Sequence, residues 1–183
     1  MTKINVPTKD QVDEKAKAVF GSLENKLGMV PNLYATMGYS SDVLAGYLSY
    51  SETVNKTSFN KKESEAIKLA VSEINNCRYC KAAHTLIAKM NGFTEEETIA
   101  IRKAQLADKR INLLIEIAQE IAANKGKLDA RLKTRFFNEG FDNKALIDLI
   151  AVVNVASFTN YLYNATEVPV DFPLAPDIQN YAA

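Results

Sequence analysis

Histidine and cysteine are scarce in this chain: 183 residues hold one histidine and two cysteines. No charge of either sign is in excess, since 22 basic side chains face 22 acidic ones and no basic run occurs. That balance argues against nucleic acid as the main partner. Long apolar runs are missing too. The longest, Leu149 to Val153, falls far short of the roughly 20 residues a membrane helix needs. The opening residues, MTKINVPTKDQ, lack the apolar core of a secretory signal. These absences predict a cytoplasmic protein with no membrane segment. Proline is absent from 32–168, because Pro7, Pro31, Pro169, Pro173 and Pro176 all lie toward the ends. Strand-like alternation is hard to find in that stretch, so the expectation is an all-α fold without a sheet, built as one domain over 1–183. A chain of this length can bury a substantial core.

Read in order, the helix signals are frequent. Thr8-Lys9-Asp10-Gln11 is a capping-box pattern that predicts a first helix from about Asp10 to Lys26, stopped by Gly28. Pro31 suits the first turn of a short helix carrying Leu33, Tyr34 and Met37. Ser40-Ser41 caps a third, with Val43, Leu44, Tyr47, Leu48 and Ser51 on one face. These make an N-terminal unit over 8–54. Thr57-Ser58 is the predicted start of a helix with Ile67, Ala70, Val71 and Ile74 at core spacing. A second helix follows to Met90 and ends at Asn91-Gly92, and Thr94-Glu95-Glu96-Glu97 opens a third to about Leu106. These form a motif unit over 58–106. A further unit over 108–163 begins with the periodic segment capped by Asp108 (Ile111, Leu114, Ile115, Ala118, Ile121, Ala122), which ends at Gly126. A short helix from about Asp129 to Asn138 follows, ended by Gly140. The last helix runs from Asp142 to Tyr163 with Leu146, Leu149, Ile150, Val153 and Ala156 as its core stripe. The tail, 164–183, is expected to be extended and to lie across a neighbouring subunit. Asn91-Gly92-Phe93-Thr94 and Asn138-Glu139-Gly140-Phe141-Asp142 resemble each other and suggest an internal repeat of helical units.

The scarce residues are gathered in one place. Cys77, Cys80 and His84 lie within eight residues as C-x-x-C-x-x-x-H. Positions three and four apart share a helix face, so Cys77 meets Cys80 and Cys80 meets His84. Asn76 is the expected N-cap, which makes Cys77 the first helical residue. The positive end of that helix favours a thiolate. A neutral His84 can take the Cys80 proton, and an imidazolium can stabilise the thiolate. Glu65, on the preceding helix, can orient the histidine if the two helices pack as a hairpin.

Blander readings stand beside this one. Two cysteines can be small apolar core residues. Cys77, Cys80 and His84 are also three of the four usual zinc ligands, but three ligands in adjacent turns of one helix make poor tetrahedral geometry, and no metal is expected. A lone helix glutamate such as Glu65 is ordinarily solvated, as are Glu63 and Glu73 beside it. Tyr79 reads as packing. Tyr34, Tyr39, Tyr47, Tyr50, Tyr161 and Tyr163 are core or interface aromatics, or the walls of an apolar pocket.

The set Glu65-x11-Cys77-x2-Cys80-x3-His84 resembles the alkylhydroperoxidase D-like (AhpD-like) branch of the carboxymuconolactone decarboxylase family, in its peroxidase-related subgroup. LAVSEINNCRYCKAAHT, GMVPNLYATMGYS and FTNYLYNATEVPVDFP extend the similarity over most of the chain from about residue 28. The resemblance implies an AhpD-like helical fold, assembly into trimers or hexamers, and thiol-dependent reduction of hydroperoxides without a cofactor. By that resemblance Cys80 is the peroxidatic thiol and Cys77 the proton donor and resolving thiol, closing a Cys77–Cys80 disulfide. Glu65 and His84 form the proton relay, and a dithiol, lipoylated or thioredoxin-like protein resets the pair. The best-known members carry a histidine where this chain has Tyr79, which cannot be a base at neutral pH. The alternative function is a dithiol–disulfide relay or sensor that turns over little peroxide.

Overall fold

The computed structural model describes residues 4–180. Helices make up most of it, and no strand forms among the described residues. The elements are α1 (Glu14–Leu27), α2 (Asn32–Met37), α3 (Ser41–Val54), α4 (Lys61–Ile74), α5 (Arg78–Met90), α6 (Glu95–Arg102), α7 (Lys109–Ala123), α8 (Ala130–Asn138) and α9 (Asn143–Thr166). The last three residues of the expected tail lie outside the described residues.

Most helix ends fall where their capping residues predict, and the exceptions have local causes. Thr8 and Gln11 form their capping box around a 3-10 turn only, Lys9–Gln11, and α1 itself starts after Asp13, whose carboxylate accepts the Ala16 N–H. Pro31 sits at the N-cap of α2 rather than within its first turn. α4 opens three residues later than Thr57-Ser58 suggests. Asn60 and Glu63 form its capping box, while the Ser58 backbone and hydroxyl are taken by Asp148 on α9. α6 stops at Arg102, short of Leu106, because Ala104 turns left-handed (φ 54°) and the Gln105 N–H closes back on the Ala100 carbonyl.

α4 is the hub. It packs against α5, α6, α7 and α9, and every residue from Glu63 to Ser72 is buried. Ile67 and Val71 enter a core with Leu114, Ile117 and Ala118 of α7 and Leu149, Val152 and Ala156 of α9. Phe136 and Phe141 stack in the same core at 4.5 Å. Ala66, Leu69 and Ala70 face a second core with Ala88, Phe93, Ile101 and Ile115. The remaining side of α4 is polar yet equally buried: Glu65, Lys68 and Ser72 recur at helical spacing along it. Ser72 accepts from the amide of Asn160, a fully buried residue of α9, and Asn160 accepts from Asn75. Ile74, expected in the core, is exposed because this polar side takes the last turn inward instead.

α9 carries apolar residues on both its inner and its outer side. Its inner side follows Ala145, Leu149, Val152, Val153 and Ala156, so Leu149, Val153 and Ala156 are core as expected, whereas Ile150 is exposed and Leu146 is half-buried. By length and hydropathy α9 resembles a membrane span, and half of that window is buried inside the fold. Ile147, Ile150, Phe158 and Tyr161 form an outer stripe at helical spacing.

The suggested repeat rests on two turns of like geometry. Gly92 and Gly140 have φ of 88° and 89°, and the N–H of Phe93 or Phe141 returns to the Ala88 or Phe136 carbonyl. The same closure ends α4 at Asn76-Cys77 and α6 at Ala104-Gln105, where the residues differ. Reversal between helices is therefore enough to produce it.

The tail folds back on its own chain rather than projecting away from it. Val168 is buried, and Val170 and Phe172 pack on the cluster that contains both cysteines. Asp171 accepts the Asn32 N–H at the start of α2, and the Pro176 carbonyl accepts from Arg102.

Candidate active site

The cysteines sit where α4 turns into α5. Asn76 adopts a left-handed conformation (φ 50°), and the Cys77 N–H reaches back to the Ser72 carbonyl at 3.0 Å. This is the closure of a Schellman turn, in which asparagine is the residue after glycine best suited to the left-handed position. Asn76 therefore ends α4 and does not cap α5. The N-cap is Cys77, whose sulfur accepts the Cys80 N–H at 3.1 Å. The two cysteines are joined in a disulfide across a Cα–Cα distance of 5.3 Å, within the ordinary range. The helix-terminal hydrogen bond thus falls on Cys77, and Cys80 occupies the first turn.

The hairpin brings Glu65 to His84. Glu65 Oε2 lies 2.8 Å from His84 Nδ1, and Glu65 Oε1 accepts from Lys68 Nζ at 2.9 Å. Lys68 also reaches Asn55 Oδ1 at 3.4 Å. Burial works to raise the Glu65 carboxyl, but His84 and Lys68 outweigh it and hold the group at about 2, well below the ordinary 4.5. Glu65 is therefore a carboxylate at neutral pH. A carboxylate only accepts, so the proton of this bond belongs to Nδ1, and a neutral His84 has Nε2 free as a base.

A pocket of about 370 Å³ opens beside the pair. Cys80 and His84 line it with Tyr34, Tyr47, Tyr79 and Phe172, while Leu27 and Met90 lie toward its exposed side. Cys77 does not line it and is fully buried. Burial pushes the phenols of Tyr34 and Tyr47 up, and burial with the nearby Asp171 carboxylate does the same for Tyr79. All three stay protonated at neutral pH and serve only as neutral hydrogen-bonding groups. Among the described residues no group of three or more His, Cys, Asp or Glu side chains is arranged to hold a metal ion. In this oxidised form the two sulfurs that a zinc site needs are bonded to each other.

Residues 41–113, which include Glu65, Cys77, Cys80 and His84, match the model of the carboxymuconolactone decarboxylase family. No curated protein sequence matches the chain. Among solved structures, the fold is similar to an uncharacterized peroxidase-related protein from Silicibacter sp. TM1040 (20% identity, 94% of this chain and 91% of the other, TM-score 0.80). It is equally similar to a peroxidase-related protein from Ralstonia eutropha JMP134 described as an alkylhydroperoxidase AhpD core (18% identity, 92% of each chain, TM-score 0.83). A cysteine-to-alanine variant of the debrominase Bmp8, in complex with 2,3,4-tribromopyrrole, also matches (19% identity, 93% of each chain, TM-score 0.78). The AhpD-like architecture read from the motif is thus the architecture of the chain.

Between the two cysteines, Tyr79 does structural work. Its hydroxyl accepts the buried Leu33 N–H at 3.3 Å, and its ring meets Tyr163 and Phe172 at 5.7 Å and 5.4 Å. Pro31 brings no side-chain cap to α2, so the first free N–H groups of that helix are satisfied by Asp171 and Tyr79. The residue between the cysteines thereby ties the disulfide to α2 and to the tail.

All four residues singled out from sequence lie together at the α4–α5 hairpin. Lys68 was not among them, although its i, i+3 spacing from Glu65 was a legible signal. Phe172 was also missed, since nothing local to the tail says that it returns to the motif. Of the aromatics left open between core and pocket, Tyr34 and Tyr47 line the pocket, and Tyr39, Tyr50 and Tyr161 are exposed.

Proposed function

We propose that this protein is a thiol-dependent peroxidase that reduces organic hydroperoxides. The observation that carries the reading is the joint placement of Cys80 and a carboxylate-held His84 on one apolar pocket. In the reduced protein, His84 Nε2 takes the Cys80 proton. The thiolate attacks the terminal oxygen of the hydroperoxide, the O–O bond breaks, and the alkoxide leaves with the proton from His84. The products are an alcohol and a Cys80 sulfenic acid. The Cys77 thiol then displaces the sulfenic oxygen as water and closes the disulfide. General acid–base help of this kind contributes on the order of 10²-fold or more.

Resetting the pair takes an external dithiol, a lipoyl or thioredoxin-like group in the cytoplasm. Only Cys80 is reached from the pocket, so the mixed disulfide forms there and Cys77 leaves as a thiolate. The Cys80 N–H, already directed at Cys77 Sγ, supports that leaving group. We also assign the outer stripe of α9, with Val43 and Tyr50 of α3 beside it, to contact between copies in a homo-oligomer.

The test is one equivalent of cumene hydroperoxide added to fully reduced protein, followed by a thiol count and intact mass. Wild type should lose two thiols and 2 Da (about, by mass balance of one disulfide). Cys77→Ser should accumulate a dimedone-reactive sulfenic acid, and Cys80→Ser should react no faster than free cysteine. Wild-type protein as slow as free cysteine would leave the dithiol relay as the better reading.

One observation favours a second substrate class. Tyr34, Tyr47, Tyr79 and Phe172 wall the pocket with aromatic faces, and a protein of the same fold binds a brominated pyrrole. Bromide release from a bromopyrrole by reduced protein would favour that class.

A further inference from the structure

We propose that Lys68 is a positioning residue: it neutralises the buried Glu65 carboxylate so that His84 can be held by that carboxylate without itself becoming an imidazolium. The catalytic meaning of this assignment rests on the peroxidase reading, because only there is His84 needed as a base.

The geometry divides Glu65 between two partners. One oxygen accepts from Lys68 at 2.9 Å and the other faces His84 at 2.8 Å. Glu65 and Lys68 are both buried, with side chains 10% and 9% exposed, and His84 is only slightly more accessible at 16%. Water screens this set weakly, so its charges must be balanced within it. Among the described residues, the other ionisable groups that share the pocket with His84 are Tyr34 on α2, Tyr47 on α3 and Tyr79 and Cys80 on α5. The three phenols are neutral, the sulfur is in the disulfide, and Thr159 of α9 has no charge to offer. Glu65 and Lys68 alone therefore sum to zero.

Removing the ammonium changes this sum. A buried carboxylate left with a single neighbour of basic character draws a proton onto that neighbour, and an opposite charge at such range raises a histidine by about 1–3 pH units. An imidazolium cannot accept the Cys80 proton. A residue that never touches substrate would thus set the pH at which the base works. Lysine suits the place because its long stem reaches back three residues along α4 to Glu65 while its head also meets Asn55.

The single histidine makes the test direct, since imidazole resonances in the NMR spectrum have one source. The disulfide form of the full chain is used, so the result does not depend on peroxide turnover. Three results are expected. At pH 8 the wild-type ¹⁵N shifts report a neutral ring protonated at Nδ1. In Lys68→Met the His84 titration midpoint moves up by about 1–2 pH units. In the double variant Glu65→Gln with Lys68→Met, which leaves no unpaired charge, the midpoint returns to within about half a unit of wild type. A charged wild-type ring at pH 8 overturns the proposal whatever the variants do. An unmoved midpoint in Lys68→Met, or a double variant shifted as far as the single one, overturns it too. Normal His84 behaviour with no peroxide consumption would instead sink the peroxidase reading and leave this assignment standing.

Discussion

Replacing Glu65 by glutamine should flatten the acid side of the stability profile. The folded carboxyl is held at about 2 against an ordinary 4.5. A carboxyl lowered on folding stabilises the protein above its unfolded value, and this support is lost as the pH falls from about 4.5 toward 2. At about 1.4 kcal/mol per pH unit, the full effect is on the order of 3 kcal/mol, with about 2 kcal/mol of it gone by pH 3. The group is buried on α4, so little of this is screened. Glu65→Gln will also lose stability at pH 7, on the order of 3 kcal/mol, because it strands the buried Lys68 ammonium. The informative quantity is therefore the difference between two pH values. Urea unfolding of the oxidised protein at pH 5 and pH 3, an interval below the ordinary imidazole range, should show wild type losing about 2 kcal/mol more than Glu65→Gln. Equal losses would mean that Glu65 is not held as a low carboxyl. His84 and Lys68 would then have no anion between them.

Other perturbations follow from single contacts. Tyr79→Phe leaves the Leu33 N–H buried and unpaired and should cost about 1–3 kcal/mol in urea unfolding, with the disulfide still formed. Gly38→Ala should destabilise by about 1–3 kcal/mol, because a Cβ there would collide with the Phe20 ring and lie 2.8 Å from the Ala35 carbonyl oxygen; a shifted unfolding midpoint checks it. Leu149→Ala, at the fully buried meeting of α4, α7 and α9, should cost about 2–5 kcal/mol by the same measurement. Ile150→Lys with Phe158→Lys should convert an oligomer to monomer in light scattering while leaving the circular dichroism of the fold unchanged, since both residues face outward. An unchanged mass would remove α9 from the interface.

Much of the fold was legible because helix ends carry their own chemistry. Asp108, Asp129, Asp142 and Thr94 each cap the helix that their sequence announces. The Cys-Cys-His cluster was legible for a different reason: residues this scarce do not gather in two turns by chance. The errors lie where one residue suits two roles. Asparagine is both a good N-cap and a tolerated left-handed residue, and at Asn76 the second role won because α4 had to reverse direction at once into α5. This one-residue difference moves the helix-terminal hydrogen bond from the expected catalytic sulfur to its partner.

The same logic explains why Lys68 stayed hidden. A helix packed on one side shows one apolar stripe, and its charged residues are read as solvated. α4 is packed on every side, so its pattern of Glu, Lys and Ser looks like a water-facing edge while being as buried as the rest. Burying such groups costs free energy unless each finds a partner. Glu65 and Lys68 find each other, and the second carboxylate oxygen is left for His84. The polar edge inside the hub of the fold is thus best understood as what the site requires of α4. A fully apolar α4 would pack at least as well, but it would leave His84 with nothing to orient it.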